Sequence, residues 1–246
     1  MRFESSMTNK HAGARVWAAL LVGLSVVPAA CSDEGDPKPS LHENGEHDKP
    51  AEVVVPDPIV PTAASFSAIW GSSAKDVWAV GSEGAIVHYD GKALSLIESG
   101  TKVRILAVHG TAPDDVWFVG ETGTTLHWDG QKVAEVSQIF DQTLLGVWAN
   151  GPEDVWAVGF YPQDRIGILR HWTGGEWDEL LISPAASLWE IWSSGPDDVW
   201  VVGTNLNREG LVLHARGSEV SLLEFEGNPL RGVWGTGEDD VWFLPY

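Results

Sequence analysis

The chain has 246 residues, with 35 acidic and 15 Lys or Arg side chains, and its formal net charge is −20. This excess of acid argues against binding to nucleic acid or to an anionic lipid surface, because both require clusters of Lys and Arg. A hydrophobic content of 43% with 20% charged residues is too apolar for a wholly disordered chain and is sufficient for one folded domain.

Residues 1–30 have the layout of a secretory signal peptide. Lys10 and Arg15 precede an uncharged, mostly apolar run over residues 16–30, VWAALLVGLSVVPAA. A transmembrane helix needs roughly 20 apolar residues, and this run is shorter. The pattern therefore predicts a cleaved leader rather than a permanent membrane span.

Cys31 is the only cysteine, so an intrachain disulfide and a thiolate metal cage are excluded. It follows Ala29 and Ala30, the small residues typical of a cleavage site, and cleavage would make it the new N-terminus. The segment resembles the lipobox of bacterial lipoproteins, with Pro28 where that motif usually has Leu. The resemblance implies that Cys31 is acylated and anchors the protein in the bacterial cell envelope. Ser32 is similar to the residue that lipoproteins of the outer membrane carry at this position.

Residues 31–65 are rich in Pro, Asp, Glu and Lys, as in the stretches DEGDPKPS and ENGEHDKP. Such a composition buries too little apolar surface to offset the entropy lost on ordering. We therefore expect a flexible, acidic tether. Two imidazoles in this tract, His42 and His47, are too few for a selective metal site.

Residues 66–246 contain one pattern five times, and its period predicts the architecture. The copies are AIWGSSAKDVWAVG, AVHGTAPDDVWFVG, GVWANGPEDVWAVG, EIWSSGPDDVWVVG and GVWGTGEDDVWFLP. The Asp and Trp of the central DVW are Asp76 and Trp78, Asp115 and Trp117, Asp154 and Trp156, Asp198 and Trp200, and Asp240 and Trp242. The steps between these Asp residues are 39, 39, 44 and 42, in the range of a four-stranded propeller blade.

The segments within each repeat are short, rich in Val, Ile and Trp, and broken by Gly and Asp, which favours strands over helices. We call the four strands a to d in chain order. Strand a is predicted to end at Trp70, His109, Trp148, Trp192 and Trp234. Strand b is the DVWAV segment and its equivalents. Strand c is predicted to cover residues 85–89, 124–128, 168–172 and 211–215. Asp90-Gly91 and its equivalents then predict type I′ turns into strand d, because both central positions of that turn need positive φ.

The sequence therefore predicts an all-β fold: a β-propeller of four-stranded blades, with four complete repeats and a partial fifth. The fifth repeat ends at Tyr246, before its strands c and d. Two alternatives remain open for the ring. Val53-Val54-Val55 could supply an N-terminal strand that seals five blades, since an exposed sheet edge is unfavourable, or the chain could be part of a larger, truncated propeller.

Nearly all of the length variation among the repeats falls in the b–c connection. The motif Trp and the strand-c His are 10, 10, 15 and 14 residues apart in the four complete repeats. Insertions on one face of a repeat protein often mark the binding face. The candidate ligand residues are Tyr161, Gln163, Asp164 and Arg165 in the third repeat and Asn205, Asn207 and Arg208 in the fourth.

The recurring His and Asp residues are interpreted as structural. His88, His127, His171 and His214 occupy one slot in successive repeats, and we expect each ring nitrogen to bond the backbone of the adjoining strand. The Asp of each DVW is expected to accept backbone N–H groups in a turn. No motif predicts a metal, a cofactor or a catalytic residue.

The DVWAVG-type repeats resemble those of the bacterial WD40/YVTN/BNR-like propeller group and, more distantly, those of the tectonin and tachylectin lectins. The resemblance implies blade architecture without naming an activity, because propellers carry many functions. We expect a non-enzymatic binding or scaffolding module that recognises a protein or glycan of the cell envelope through its b–c face. The alternatives are a carbohydrate-binding lectin and a sialidase-like glycoside hydrolase or lyase.

Overall fold

The computed structural model describes residues 64–183, 185–217 and 219–246. The predicted leader, Cys31, most of the tether and the Val53-Val54-Val55 segment lie outside the described residues. Within those ranges, no helix has the length and apolarity needed to cross a membrane.

The described chain is built of β-strands that form five antiparallel sheets, four of them with four strands and the last with two. Within each sheet the strands follow one another in chain order, so each repeat is one blade. This confirms the predicted β-propeller with four complete blades and a partial fifth. The strands are β1 (Phe66–Ser73), β2 (Asp76–Gly81), β3 (Ile86–Tyr89) and β4 (Leu94–Ile97) in blade 1; β5 (Ile105–Ala112), β6 (Asp115–Gly120), β7 (Thr125–Trp128) and β8 (Val133–Ser137) in blade 2; β9 (Thr143–Gly151), β10 (Asp154–Tyr161), β11 (Ile166–Trp172) and β12 (Trp177–Ile182) in blade 3; β13 (Ala185–Gly195), β14 (Asp198–Asn205), β15 (Gly210–Arg216) and β16 (Glu219–Phe225) in blade 4; and β17 (Leu230–Gly237) and β18 (Asp240–Pro245) in blade 5.

The first strands of the blades pack side by side around an axis. β1 packs on β5, β5 on β9, β9 on β13 and β13 on β17. Among the described residues, no comparable packing joins β1 to β17. Both predictions for the ring, closure by an N-terminal strand or a larger propeller, therefore stay open.

The core lies between neighbouring blades, which explains the tryptophan content. All six residues of β6 are buried, so this strand is covered on both faces. Trp78 of blade 1 is fully buried and packs at a centroid distance of 5.7 Å against Phe118 of blade 2. A buried aromatic side chain of this size removes about 150–250 Å² from water, so the buried tryptophans Trp78, Trp117 and Trp200 are major contributors to inter-blade packing.

Two local predictions are wrong. Strand a runs three residues past its aromatic residue, because a bulge after Gly71 lets Ser73 pair with Asp76 at the a–b hairpin. In blade 1 the c–d turn is not type I′, because Gly91 has a positive φ, of 87°, whereas Asp90 does not. A four-residue loop replaces it, in which the Asp90 carboxylate accepts two backbone N–H groups at 2.9 and 2.8 Å.

The extra residues of repeats 3 and 4 mostly lengthen strands rather than form a loose loop. The b strands β10 and β14 have eight residues, compared with six in β2 and β6. The c strands β11 and β15 have seven, compared with four in β3 and β7. Blades 3 and 4 therefore carry longer b–c hairpins than blades 1 and 2.

Candidate functional site

The Asp of each DVW lies at the centre of a hydrogen-bonded network inside its blade. In blade 1, Asp76 accepts bonds from the Ser72 hydroxyl at 2.5 Å and the Trp78 indole N–H at 3.2 Å. His88 Nε2 lies 2.6 Å from the same carboxylate, and the His88 ring stacks on Trp78 with centroids 3.9 Å apart. The network ties strands a, b and c together.

The same arrangement recurs in the other complete blades, with local changes. The Nε2 atoms of His127, His171 and His214 each lie 2.7 Å from the Asp of their own blade. The expectation that these His residues bond backbone, and that the Asp accepts backbone N–H groups, is therefore wrong, because the carboxylate satisfies the imidazole, the indole and a hydroxyl together. Blade 3 differs because Asn150 replaces the Ser or Thr and the Trp156 indole N–H has no partner among the described residues.

The electrostatics of the network favour the ionised carboxylate. Burial by itself would raise the pKa of Asp76, but hydrogen bonds from Ser72 and His88 outweigh it and lower the pKa. The pKa of Asp115 and that of Asp198 are lowered for the same reasons. A role in holding each blade together accounts for these groups without a ligand.

The b–c hairpin tips and the d–a connections share one face of the propeller, because successive strands alternate in direction. Gln138, in the connection between β8 and β9, donates to Thr122 and Thr124 in the neighbouring b–c turn at 3.2 and 3.3 Å. We call this surface the b–c face. It carries all seven candidate ligand residues.

Tyr161, at the end of β10, is half-buried and anchors the blade 3 hairpin to the connection before β9. Its hydroxyl accepts a bond from Gln142 Nε2 at 2.5 Å and donates to Glu179 at 3.0 Å. Burial raises the pKa of Tyr161, and Glu179 raises it further. Gln142 is 1% exposed, and its amide also donates to Glu179. Tyr161 therefore positions the hairpin, with its hydroxyl already engaged.

Arg170 lies beneath this cluster and is 4% exposed. Its Nε is 3.7 Å from the Glu179 carboxylate, and its guanidinium lies 5.0 Å from the centroid of the Trp177 ring. Burial lowers the pKa of Arg170, while Glu179 opposes that change. The buried cation and its carboxylate join β11 to β12 under the hairpin.

The tip of the blade 3 hairpin is exposed and carries Gln163, Asp164 and Arg165. Arg165 has φ of 54°, in the left-handed region, and its N–H donates to the Tyr161 carbonyl at 2.9 Å. This conformation costs a non-glycine residue about 1–2 kcal/mol. The tip therefore presents three polar side chains on a constrained turn.

In the blade 4 hairpin, the candidate residues divide into one buried and two exposed. Asn205 is 3% exposed, and its side-chain Oδ1 accepts the backbone N–H groups of Asn207 and Glu209 at 2.9 Å each. Its side-chain Nδ2 donates to the Glu209 carboxylate. The buried Asn205 side chain therefore fixes the conformation of the turn through these hydrogen bonds. Asn207 and Arg208 are exposed, and Arg208 has φ of 67°.

Sequence reasoning missed two apolar side chains on this face. Phe140, in the connection before β9, is 77% exposed, and Leu206, in the blade 4 hairpin, is 52% exposed. An aromatic residue in a polar connection was the available signal for Phe140. Gln142 and Glu179 were missed as well, because no local pattern links them to Tyr161.

Away from the b–c face, a cleft of about 670 Å³ lies between blade 4 and β18. Its lining includes Trp200, His214, Arg216, Ser221 and Glu238. Arg216 donates to Glu238 at 3.0 Å. The cleft combines aromatic surface with polar groups.

Neither a family model nor a curated protein matches the sequence. Solved structures do match. The WD40 repeats of RRP9 align with a TM-score of 0.58 and 13% identity over 72% of this chain and 56% of that one. The β-propeller domain of Cps50 (Swd1) from Myceliophteria thermophila aligns with a TM-score of 0.56 and 11% identity over 75% and 65%. The extracellular domain of a putative hybrid two-component system from B. thetaiotaomicron gives a TM-score of 0.53 and 11% identity over 73% and 27%.

The sheet order and these alignments define the class of protein: a β-propeller with a WD40-like fold. The chain spans 56% and 65% of the two matched WD40 structures. At such low identity the likeness concerns the fold alone. The similarity to lipoproteins and to tectonin and tachylectin lectins stays a prediction.

Proposed function

We propose that this protein is a non-enzymatic binding propeller that recognises a protein partner through its b–c face. The observation that carries the proposal is the pair of lengthened hairpins in blades 3 and 4, whose polar tips lie on the same face as the exposed Phe140 and Leu206. Exposed apolar anchors within a polar rim are typical of protein interfaces. The buried bonds of Tyr161 and Asn205 support a preformed surface, which lowers the ordering cost of binding.

The test is affinity capture from the native envelope with matched variants as bait. Arg165→Ala combined with Arg208→Ala removes two cations from the b–c face. Lys92→Ala combined with Lys132→Ala removes two cations from the c–d turns of the opposite face. We expect the amount of captured partner to be unchanged for the bait with the two Lys substitutions. For the bait with the two Arg substitutions it should fall at least about tenfold. Capture that is equal for both baits, or no capture above empty resin, would contradict the proposal.

We also propose that the chain acts outside the cytoplasm, anchored by a lipid on Cys31, in the bacterial outer membrane. The support is the apolar run of residues 16–30 followed by the lipobox-like segment. The Cys31→Ser variant should leave the membrane fraction. Membrane retention equal to that of the wild type would remove the anchor from the proposal.

A further inference from the structure

Asp240, at the start of β18, has only part of the network that the four complete blades share. It accepts bonds from the Thr236 hydroxyl at 2.6 Å and the Trp242 indole N–H at 3.0 Å. In each complete blade a strand-c His also lies 2.6–2.7 Å from the equivalent carboxylate, and its ring stacks on the DVW tryptophan. Blade 5 therefore has the carboxylate and the indole face that a strand-c His uses in the other blades.

The outer edge of β18 is open. Among the described residues β18 pairs with β17 alone. Trp242 is 43% exposed and Leu244 is 61% exposed, whereas Trp78, the blade 1 equivalent of Trp242, is fully buried. The cleft of about 670 Å³ between blade 4 and β18 lies beside this edge. Between blades 1 and 2 the same place is filled by Trp128 of strand c, whose ring centroid is 5.3 Å from that of Trp78. An unpaired strand edge is a template for a further strand.

Residues 41–53, which lie outside the described ranges, have the sequence pattern of strands c and d. The segment LHENG at 41–45 repeats the Leu, His and Gly of LHWDG at 126–130, which is the end of strand c and its turn in blade 2. The interval of three residues from His to Gly is the same in all four complete blades. After a turn that is two residues longer, four of the five residues KPAEV at 49–53 are identical to KVAEV at 132–136, where strand d begins.

We propose that residues 40–43 of this chain pair with β18 as strand c of blade 5, that residues 50–54 follow as strand d, and that His42 completes the Asp240 network. In the complete blades the strand-c His is paired with the DVW tryptophan. In that register His42 lies opposite Trp242, with its ring on the indole and its Nε2 on the carboxylate of Asp240. Residues 41–53 then belong to the propeller rather than to the expected tether, and the ring has five blades.

The residues of this segment that differ from blade 2 fit the places they take. Asn44 takes the place of Asp129, whose side chain accepts two backbone N–H groups in the c–d turn, and an Asn side-chain oxygen can accept the same bonds. Pro50 begins an outermost strand, where a missing N–H is tolerated. Glu43 takes the place of Trp128, beside the cleft whose lining includes Arg216, so a carboxylate there lies near a cation.

The first test is a disulfide across the predicted strand pair in the full-length protein, with Cys31→Ser present so that only introduced cysteines can react. Ser40 and Leu244 are opposite residues in this register, and opposite residues of antiparallel strands have the Cα separation of a disulfide. Ser40→Cys with Leu244→Cys should form an intrachain disulfide, detected by mass spectrometry of proteolytic peptides. The matched control is Ser40→Cys with Leu181→Cys, at an exposed position on β12 of blade 3, and should form at least tenfold less.

The second test is a double-mutant cycle for His42 and Asp240. The factor by which Asp240→Ala lowers the folding equilibrium constant should be about tenfold smaller in His42→Ala than in the wild type, because the two residues share one bond. A tenfold change corresponds to about 1.4 kcal/mol. His47→Ala is the control, since Pro50 rather than Gly follows His47 by three residues, and it should leave the effect of Asp240→Ala unchanged.

Three results would overturn the inference: equal disulfide yields from the two cysteine pairs, additive effects of His42→Ala and Asp240→Ala, or a disulfide that joins two chains. The last result would assign the edge of β18 to a second copy of the chain. The inference is independent of the proposed b–c interface, because Arg165 and Arg208 take part in neither test.

Discussion

The imidazole of His109 accepts a hydrogen bond from the backbone N–H of Ala149 in the next blade, with 3.1 Å between Nδ1 and the amide nitrogen. The other four blades have Trp at this position, and an indole ring has no acceptor. His109 also stacks on Trp148 with ring centroids 4.0 Å apart. It therefore keeps the aromatic contact and adds a bond between blades 2 and 3.

This bond predicts an acid-sensitive stability. Burial lowers the pKa of His109 to about 4 from 6.5, with only a partial opposing effect of Asp115. Because the folded pKa lies below the unfolded one, stability is complete above pH 6.5 and falls as the pH drops towards 4. We expect a loss of about 2 kcal/mol between pH 7.5 and pH 5.0, measured by urea denaturation. The variant His109→Trp should lose that dependence, and the same slope in both proteins would contradict the prediction.

Asp115→Asn is expected to destabilise the protein by about 2–4 kcal/mol, because its buried carboxylate accepts bonds from Thr111, Trp117 and His127. Asp114→Asn is the matched control, since the neighbouring carboxylate is exposed and should change stability by less than about 0.5 kcal/mol. Urea denaturation at pH 7.5 measures both variants. Equal effects would show that the network does not hold the blade.

The blade architecture was predictable because every repeat has the same apolar strands at the same spacing, and each repeat must bury them in the same way. A period near forty residues, with c strands that are apolar on both faces in most repeats, is satisfied by few arrangements other than stacked sheets. The partner of each strand-c His was not predictable, because a backbone group and a side-chain carboxylate satisfy an imidazole equally well. Asp76 and His88 are twelve residues apart, and only the strand register brings them together.

The position of the longer hairpins was predictable from the sequence, but the bonds inside them were not. The interval between Trp and His located the hairpins of blades 3 and 4, yet it did not show that Tyr161 and Asn205 turn inward. The Gln142–Glu179 bond joins residues 37 positions apart, one in the connection before β9 and one in β12, and no sequence pattern encodes it.

Substitutions of Arg165 can separate the effect of its backbone conformation on stability from the effect of its guanidinium on partner binding. Its φ of 54° costs any side chain with a Cβ about 1–2 kcal/mol, and glycine avoids that cost. Part of the gain is offset because glycine also loses more backbone entropy on folding. We expect the free energy of unfolding of Arg165→Gly, measured by thermal unfolding, to equal that of the wild type or to exceed it by up to about 1 kcal/mol. That of Arg165→Ala should equal the wild-type value. Both should weaken partner capture, since both remove the guanidinium.

If Arg165→Gly unfolds at a lower temperature than Arg165→Ala, the left-handed conformation is not a source of strain. If both variants capture the partner as well as the wild type does, Arg165 is not part of the interface.

Tyr161→Phe removes a hydroxyl that joins Gln142, in the connection before β9, to Glu179 in β12 of the same blade. Because Gln142 is 1% exposed, the loss leaves a buried amide with fewer partners, and we expect a destabilisation of about 1–2 kcal/mol in urea denaturation. Tyr89→Phe is the control, since Tyr89 is half-buried in β3 and its hydroxyl has no bond to the described residues.

If Tyr161 positions the hairpin, Tyr161→Phe should also weaken partner capture. Adding Glu179→Gln to Tyr161→Phe should lower the free energy of unfolding by less than Glu179→Gln does in the wild type, because the two residues share one bond. Additive effects of Tyr161→Phe and Glu179→Gln would show that the bond contributes nothing to the fold.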